Sequence, residues 1–435
     1  MTTADLILIN GHIITMNSEQ PCAEAIAVHK GHITNVGTNE QILTLKDKET
    51  IMLDLGGKTV LPGFIDTHVH GASLGKLLSQ IDLRNVQSIL KIQQKLKNWV
   101  EKRPKGEWII GRGWSQDQLK EHRYPNRFDL DAVAPNNPVF LLRVCGHLGV
   151  VNSKAMKLAG ITTQSKIPEG GWIDKDKETG EPNGILRDNA LRIVYKVLPE
   201  LSQEALSEAC LLACKRMVKE GITTVHWIMN SRYELHILQR LRDAGKLPLR
   251  IYVMIPIDYL DHLVGLGLST GFGCCRLKIG SVKILADGSL GARTAALKEA
   301  YKDAPERRGM LLHSEEQLKS LIEKAHHEEM QLAIHAIGDM TIEVTLRILD
   351  EVLRRMPREN HRHRIEHVSV LNQRLLKKIK SLSLIASVQP HFAISDFWVG
   401  ERLGERRSKW TYAFKSLISE GILTVGGSDS PVEPV

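Results

Sequence analysis

Several signals are missing from this 435-residue chain, and each absence removes a class of function. No run of about 18 apolar residues occurs, so the sequence predicts no transmembrane helix. The first residues, Met-Thr-Thr-Ala-Asp-Leu-Ile-Leu-Ile-Asn, lack a basic segment followed by a long apolar one. They read as a first strand and not as a signal peptide, and the expected location is cytoplasmic. The six cysteines (Cys22, Cys145, Cys210, Cys214, Cys274 and Cys275) contain no Cys-x-x-Cys pair and do not form a secreted disulfide framework. Cys210 and Cys214 share a helical face, where small core residues are a better reading than metal ligands. The net charge is +8, but the basic residues are spread along the chain without a nucleic-acid motif. Runs such as 374–380 read as solvated helix faces.

What is present begins with Leu61-Pro-Gly-Phe-Ile-Asp-Thr-His-Val-His70. This apolar run reads as a buried strand ending in two histidines. Side chains two apart on a strand share a face, so His68 and His70 can reach one metal ion from one sheet edge. Alone, a His-x-His pair is weak evidence.

Its context is a chain that alternates strands and helices. Strand-like runs fall at 60–70, 221–228, 249–255, 279–286, 330–335, 363–367, 384–389 and 422–428, with helical patterns between most of them, for example 202–220, 314–329 and 340–356. Eight such units predict a closed parallel barrel. Residues 1–58 read as a small β unit, with runs at 6–16 and 25–36, the latter turning through His29-Lys-Gly31. A third apolar run lies at 51–55. Residues 71–201 form an insertion after the first barrel strand, containing a helix near 86–102, strands at 107–112 and 138–145, and a hairpin at 170–186. An insertion there sits at the C-terminal mouth of a barrel and is expected to wall the substrate pocket. The chain stops after its eighth strand, at Ser430-Pro-Val-Glu-Pro-Val435, and the expectation is a C-terminally incomplete barrel domain over 59–435.

Residues able to bind metals recur at the C-terminal ends of these strands: His68 and His70 on the first, Lys283 on the fourth, His335 on the fifth, His367 on the sixth and Asp429 after the eighth. Imidazole nitrogens and carboxylate oxygens suit Zn²⁺ and similar divalent ions. A single histidine at a strand end is more often a hydrogen-bonded structural residue, but recurrence around one mouth favours a site. Lysine is the odd member, because an ammonium repels a metal. Buried near cations, its amine can lose its proton and react with carbon dioxide to give an anionic carbamate. As a lone residue, Lys283 reads more simply as solvated or ion-paired.

These residues sit in stretches that resemble the amidohydrolase superfamily, and within it the YtcJ-like amidohydrolase-3 branch. The stretches are Leu-Pro-Gly-Phe-Ile-Asp-Thr-His-Val-His70, Gly-Arg-Gly-Trp114, Cys-Gly-His147-Leu-Gly-Val-Val-Asn-Ser153 and Val-Lys283-Ile-Leu-Ala-Asp-Gly-Ser-Leu-Gly-Ala-Arg-Thr294. Ile-His335-Ala-Ile-Gly-Asp339, Arg-Ile-Glu-His367, Val-Gln-Pro-His391 and Gly-Ser-Asp429-Ser-Pro complete the set. The resemblance implies an α/β fold: a (β/α)8 TIM-type barrel, with residues 1–58 contributing the N-terminal half of a composite β-sandwich. It implies two metals, with His68, His70 and Asp429 on one, His335 and His367 on the other, and Lys283 bridging as a carboxylated lysine. Zinc is the first expectation.

The implied activity is hydrolysis of a carbon–nitrogen bond other than a peptide bond, in an amide or an N-acyl or N-formyl amine, with Asp429 as catalytic acid and base. The alternatives are a deaminase with a mononuclear site, which lacks a bridging lysine, and a non-catalytic scaffold, which usually loses ligands. Trp114, His147, His226, Asp287, Arg293 and His391 are candidate pocket residues. Expected partners are a small-molecule amide, no nucleic acid and no membrane, with a homodimer left open.

Overall fold

The computed structural model describes residues 3–143, 148–168, 170–199 and 201–435. The chain divides into two compact units, one of residues 1–65 with 221–224 and one of the remainder.

The smaller unit holds two sheets. In the first, His32–Gly37, Ala25–His29, Leu6–Ile9 and Ile51–Asp54 lie side by side in that order; in the second, Cys22–Ala23, His12–Ile14 and Thr59–Val60 do so. Ala4, Ile7, Ala25, Ala27 and Ile42 form its core. The run 6–16, read as one strand, is two strands in different sheets. The break falls at Asn10, whose φ of 56° lies in the left-handed region, which no strand tolerates. The turn at Lys30-Gly31 has φ of 49° and 77°, the double positive that a tight two-residue hairpin requires.

The larger unit is built on eight strands: β1 Phe64–Val69, β2 Ile222–Ile228, β3 Arg250–Pro256, β4 Leu277–Leu285, β5 Leu332–Ala336, β6 Arg364–His367, β7 Ile385–Val388 and β8 Thr424–Gly426. They lie in sequence order in one sheet. The registers from β3 to β8 are all parallel. β5 and β7 are almost wholly buried and mostly apolar, as strands covered on both faces must be, whereas β6, Arg-Ile-Glu-His, is equally buried but mostly polar. The sheet closes between its ends: Thr67 Oγ1 donates to the Gly426 carbonyl at 2.9 Å, Asp429 N to His68 O at 2.7 Å, and His70 N to Ser430 O at 2.8 Å. A parallel bridge joins Val69 and Ser430. This is the expected TIM-type barrel.

Helices return the chain between strands. Gln203–Lys219 is capped by Ser202, Glu315–His327 by a capping box from Ser314 and Gln317, and Gln373–Ser381 by Asn372. Cys210 and Cys214 are buried on the first of these, and burial raises both thiols, so they serve as core residues. No helix among the described residues is long and apolar enough to cross a membrane. The insertion forms its own six-stranded sheet, which includes Ile109–Trp114, Val139–Arg143 and the hairpin Gly171–Lys175 with Pro182–Asp188.

Candidate metal centre

Strand period and barrel closure together deliver the cluster. His68 and His70 bracket the end of β1, His335 and His367 lie at the ends of β5 and β6, and Lys283 lies late in β4. Asp429 follows β8, and the closing hydrogen bonds fix it beside β1. That approach demands Gly427, because a Cβ there would lie 2.7 Å from the His68 backbone nitrogen and Cβ. Two of the six have left-handed backbones, His367 at φ 72° and Asp429 at φ 58°. Such conformations cost about 1–3 kcal/mol in a non-glycine residue and persist where the surrounding structure imposes them.

All six line one cavity of about 580 Å³. The imidazoles run in a chain, with ring centroids 5.8 Å apart for His68 and His70, 4.9 Å for His68 and His367, and 4.4 Å for His367 and His335. Asp429 Oδ1 lies 3.4 Å from His68 Nε2 and 3.3 Å from His70 Nε2. One ligand atom from each of these three residues falls within 4.8 Å of the others.

Proton placement tests whether this set fits a cation. His68 Nδ1 contacts Glu366 Oε2, so its proton sits on Nδ1 and its Nε2 carries a lone pair. Burial, and then the charge of Lys283, lowers the pKa of His68, which disfavours a second proton. Two acceptors, His68 Nε2 and Asp429 Oδ1, therefore face each other, and the buried Oδ1 has no hydrogen bond. His367 Nδ1 and Lys283 Nζ are likewise buried without partners. Unpartnered buried polar atoms are costly, and here several converge on one point. The donor set fits divalent metal ions.

Electrostatics favour the ligand forms. Burial, with Lys283 adding to it, pushes His335 down to about 3, and burial takes His367 well below the ordinary histidine value. His335 Nε2 donates to the Gly288 carbonyl at 2.9 Å, which leaves Nδ1 as its acceptor. Burial opposes ionisation of Asp429, yet its histidine neighbours and Lys283 hold the carboxyl below its usual range. Lys283 is pushed down to about 8 by burial, against the carboxylates of Glu366 and Asp429.

The other described sequence candidates do not line this cavity, although Asp287 Oδ1 lies 3.5 Å from His335 Nε2. Trp114 is fully buried in the core of the insertion, and its Nε1 donates to Leu141 O at 3.1 Å. His226 Nδ1 lies 2.6 Å from Arg364 Nη1, within the barrel. Asp287 accepts from Ala296 N, Ile337 N, Gly338 N and Thr341 Oγ1 at 2.7–3.0 Å, tying the loop after β4 to the one after β5. Arg293 pairs with Asp303, and His391 lies 3.5 Å from Glu433. His147 lies outside the described residues. Among the described residues, none from 71–201 lines the cavity. His313, Asp258 and Asn230, which sequence reading missed, do. No periodic or motif signal marks them, since each lies beyond a strand end.

A family model described as the amidohydrolase family matches residues 52–435. The chain is 37% identical to the YtcJ protein of Bacillus subtilis (strain 168), over 98% of this chain and 80% of that one. It is 26% identical to the N-substituted formamide deformylase of Arthrobacter pascens, over 98% of this chain and 81% of that one. The crystal structure of an uncharacterized metal-dependent hydrolase from Pyrococcus furiosus superposes with a TM-score of 0.82 at 33% identity, covering 99% of this chain and 86% of that one. With the barrel and its ligand cluster, these matches make the chain a member of the amidohydrolase family.

Proposed function

We propose that this protein is a metal-dependent hydrolase that cleaves the carbon–nitrogen bond of a non-peptide amide, of the N-acyl or N-formyl amine class. The observation that carries the reading is the facing pair of acceptors, His68 Nε2 and Asp429 Oδ1, at 3.4 Å with no proton to share. The formamide deformylase relative supports the substrate class.

In this reading His68, His70 and Asp429 would hold one metal and His335 and His367 the other. Lys283, as a carbamate, would supply a further anionic ligand, and zinc is the first choice of ion. An amine must be unprotonated to take up carbon dioxide, and burial near pKa 8 makes that form accessible to Lys283. Bound divalent ions supply Lewis acidity and lower the pKa of a water towards neutrality.

The chain's own groups do the rest. Asp429 Oδ1 takes the proton of the attacking water and returns it to the leaving nitrogen, so the amine departs neutral. The left-handed turn at Asp429 and the hydrogen bond from its amide to His68 O keep that oxygen aimed at the cavity. Ile228, Met229, Ile257, Leu285 and Leu312 give the cavity an apolar wall for the substrate's organic group.

The test is a screen of N-formyl and N-acyl amines that follows released primary amine, with zinc-loaded protein and Asp429→Asn beside it. The reading expects hydrolysis that chelation abolishes and that Asp429→Asn lowers about 10²- to 10⁴-fold. Zinc-loaded protein inert toward the whole panel would contradict it.

A further inference from the structure

Beneath the ligand cluster runs a second buried polar array. Arg364 opens β6 and is 2% exposed, and Glu366, two residues on, is fully buried. The strand period turns both into the barrel interior. Arg364 Nε contacts Glu366 Oε1, and Nη2 donates to Glu366 Oε2 at 3.1 Å. Nη2 also reaches the Thr67 carbonyl and Ser387 Oγ, the latter at 3.2 Å, and Nη1 lies 2.6 Å from His226 Nδ1. Glu366 Oε2 in turn meets His68 Nδ1. The result is a continuous chain, His226–Arg364–Glu366–His68.

The proton positions along it follow from chemistry. A guanidinium only donates, so His226 Nδ1 accepts. Burial pushes His226 down to about 3 and Arg364 adds to this, so the ring stays neutral with its proton on Nε2. Arg364 donates to both oxygens of Glu366, the forked contact of a guanidinium with a carboxylate. A carboxylate accepts at both oxygens, so His68 Nδ1 is the donor.

We infer that Glu366, charged and oriented by Arg364, is a positioning residue for His68. It fixes the proton on Nδ1, directs the Nε2 lone pair into the cavity and raises its basicity, and so sets how tightly the centre holds a divalent cation. The inference rests on the metal-dependent reading of the site. A buried ion pair contributes little net stability compared with apolar side chains of the same volume. The consequence of this pair lies in its third contact, with His68.

The test compares full-length parent, Glu366→Gln, and the double variant Arg364→Met with Glu366→Gln. The single variant keeps an acceptor for His68 but strands a buried guanidinium, so its stability is expected to fall. The double variant removes both charges and leaves a neutral acceptor. Each protein is stripped of metal and titrated with Zn²⁺, then with Co²⁺, whose visible absorption reports ligand geometry; thermal unfolding is recorded alongside. The double variant is expected to be somewhat less stable than the parent, because the Thr67 carbonyl and His226 Nδ1 lose their donor, but to fold, to bind Zn²⁺ about 10- to 100-fold more weakly, and to give a shifted Co²⁺ spectrum. Parental Zn²⁺ affinity and an unchanged spectrum in a folded double variant would overturn the inference. A parent that binds no Zn²⁺ would instead overturn the metal reading beneath it.

A measurement on the unmutated chain guards against a variant that fails to fold. Histidine-labelled ¹⁵N NMR of metal-free protein, assigned with His68→Asn, is expected to show His68 as the neutral Nδ1–H tautomer. The Nε2–H tautomer, or an imidazolium at pH 7, would overturn the inference directly.

Discussion

Asp66 and Ser428 are joined twice: Asp66 Oδ1 accepts from Ser428 N at 3.0 Å and Oδ2 from Ser428 Oγ at 2.5 Å. The same Oδ1 accepts from His68 N at 3.0 Å. One buried carboxylate therefore clamps the first strand to the segment after the eighth, and with them His68 to Asp429. Asp66→Ala strips three donors of their acceptor. It is expected to cost about 3 kcal/mol or more, the low end of roughly 1–3 kcal/mol for each of the three donors, because Ser428 is only half-buried. Chemical unfolding checks the cost, and metal titration should show weaker binding as well. A variant with parental stability and affinity would show that the clamp is dispensable.

Lys283 separates a bridged centre from a simpler one. Its Nζ is buried without a partner, and Lys283 lines the cavity with Asp429, His68, His70, His335 and His367. Lys283→Ala is expected to abolish hydrolysis, and bicarbonate with short carboxylic acids should partly restore it by supplying the missing anion. Full activity in the unsupplemented variant would remove the carbamate from the account.

Acid stability follows from histidines away from the centre. His363 Nδ1 accepts from Leu332 N at 3.0 Å, its Nε2 meets His326 Nδ1 at 2.8 Å, and its own amide donates to His361 Nδ1 at 2.9 Å. Burial first, and neighbouring cations after it, holds all three rings below the ordinary histidine pKa of 6.5. The unfolded chain therefore binds more protons than the folded one below pH 6.5, and stability falls as pH drops through that range and is flat above it. Urea unfolding at pH 7.5 and 5.0 measures the slope. His363→Gln, which keeps an acceptor and a donor, is expected to flatten it, and an unchanged slope would place the acid sensitivity elsewhere.

The cavity wall predicts a charge preference. Outside the six clustered residues, Asp258 is the only aspartate, glutamate, lysine or arginine among its described lining residues. A substrate carboxylate on the organic group, directed away from the clustered residues, would meet the like charge of Asp258. An N-formyl amine with a neutral or cationic organic group is expected to exceed its carboxylate-bearing analogue in kcat/KM by at least about tenfold, ~1.4 kcal/mol. Equal kcat/KM for the two, or preference for the acid, would contradict this. Asp258→Asn should narrow the gap.

The barrel was legible because most of its strands are short, largely apolar runs separated by helical patterns. The six clustered residues were legible for the same reason, since a polar residue closing such a run stands out. The run 6–16 was not, because a one-residue left-handed break at Asn10 leaves no mark in hydrophobicity. Trp114 had the composition of a pocket residue and the burial of a core one, a difference that only packing decides. Arg364 and Glu366 escaped notice because a charged pair inside a barrel looks, in sequence, like any exposed pair. His226 belongs to the same array and became interpretable only with them.

The central claim is a two-metal hydrolytic centre, and metal content measures it most directly. Elemental analysis of the purified protein, after saturation with Zn²⁺ and removal of excess, is expected to give about two ions per chain. Lys283→Ala should give fewer. About one ion in the parent would favour a mononuclear, deaminase-like site, and none would favour a scaffold; either result would contradict the account.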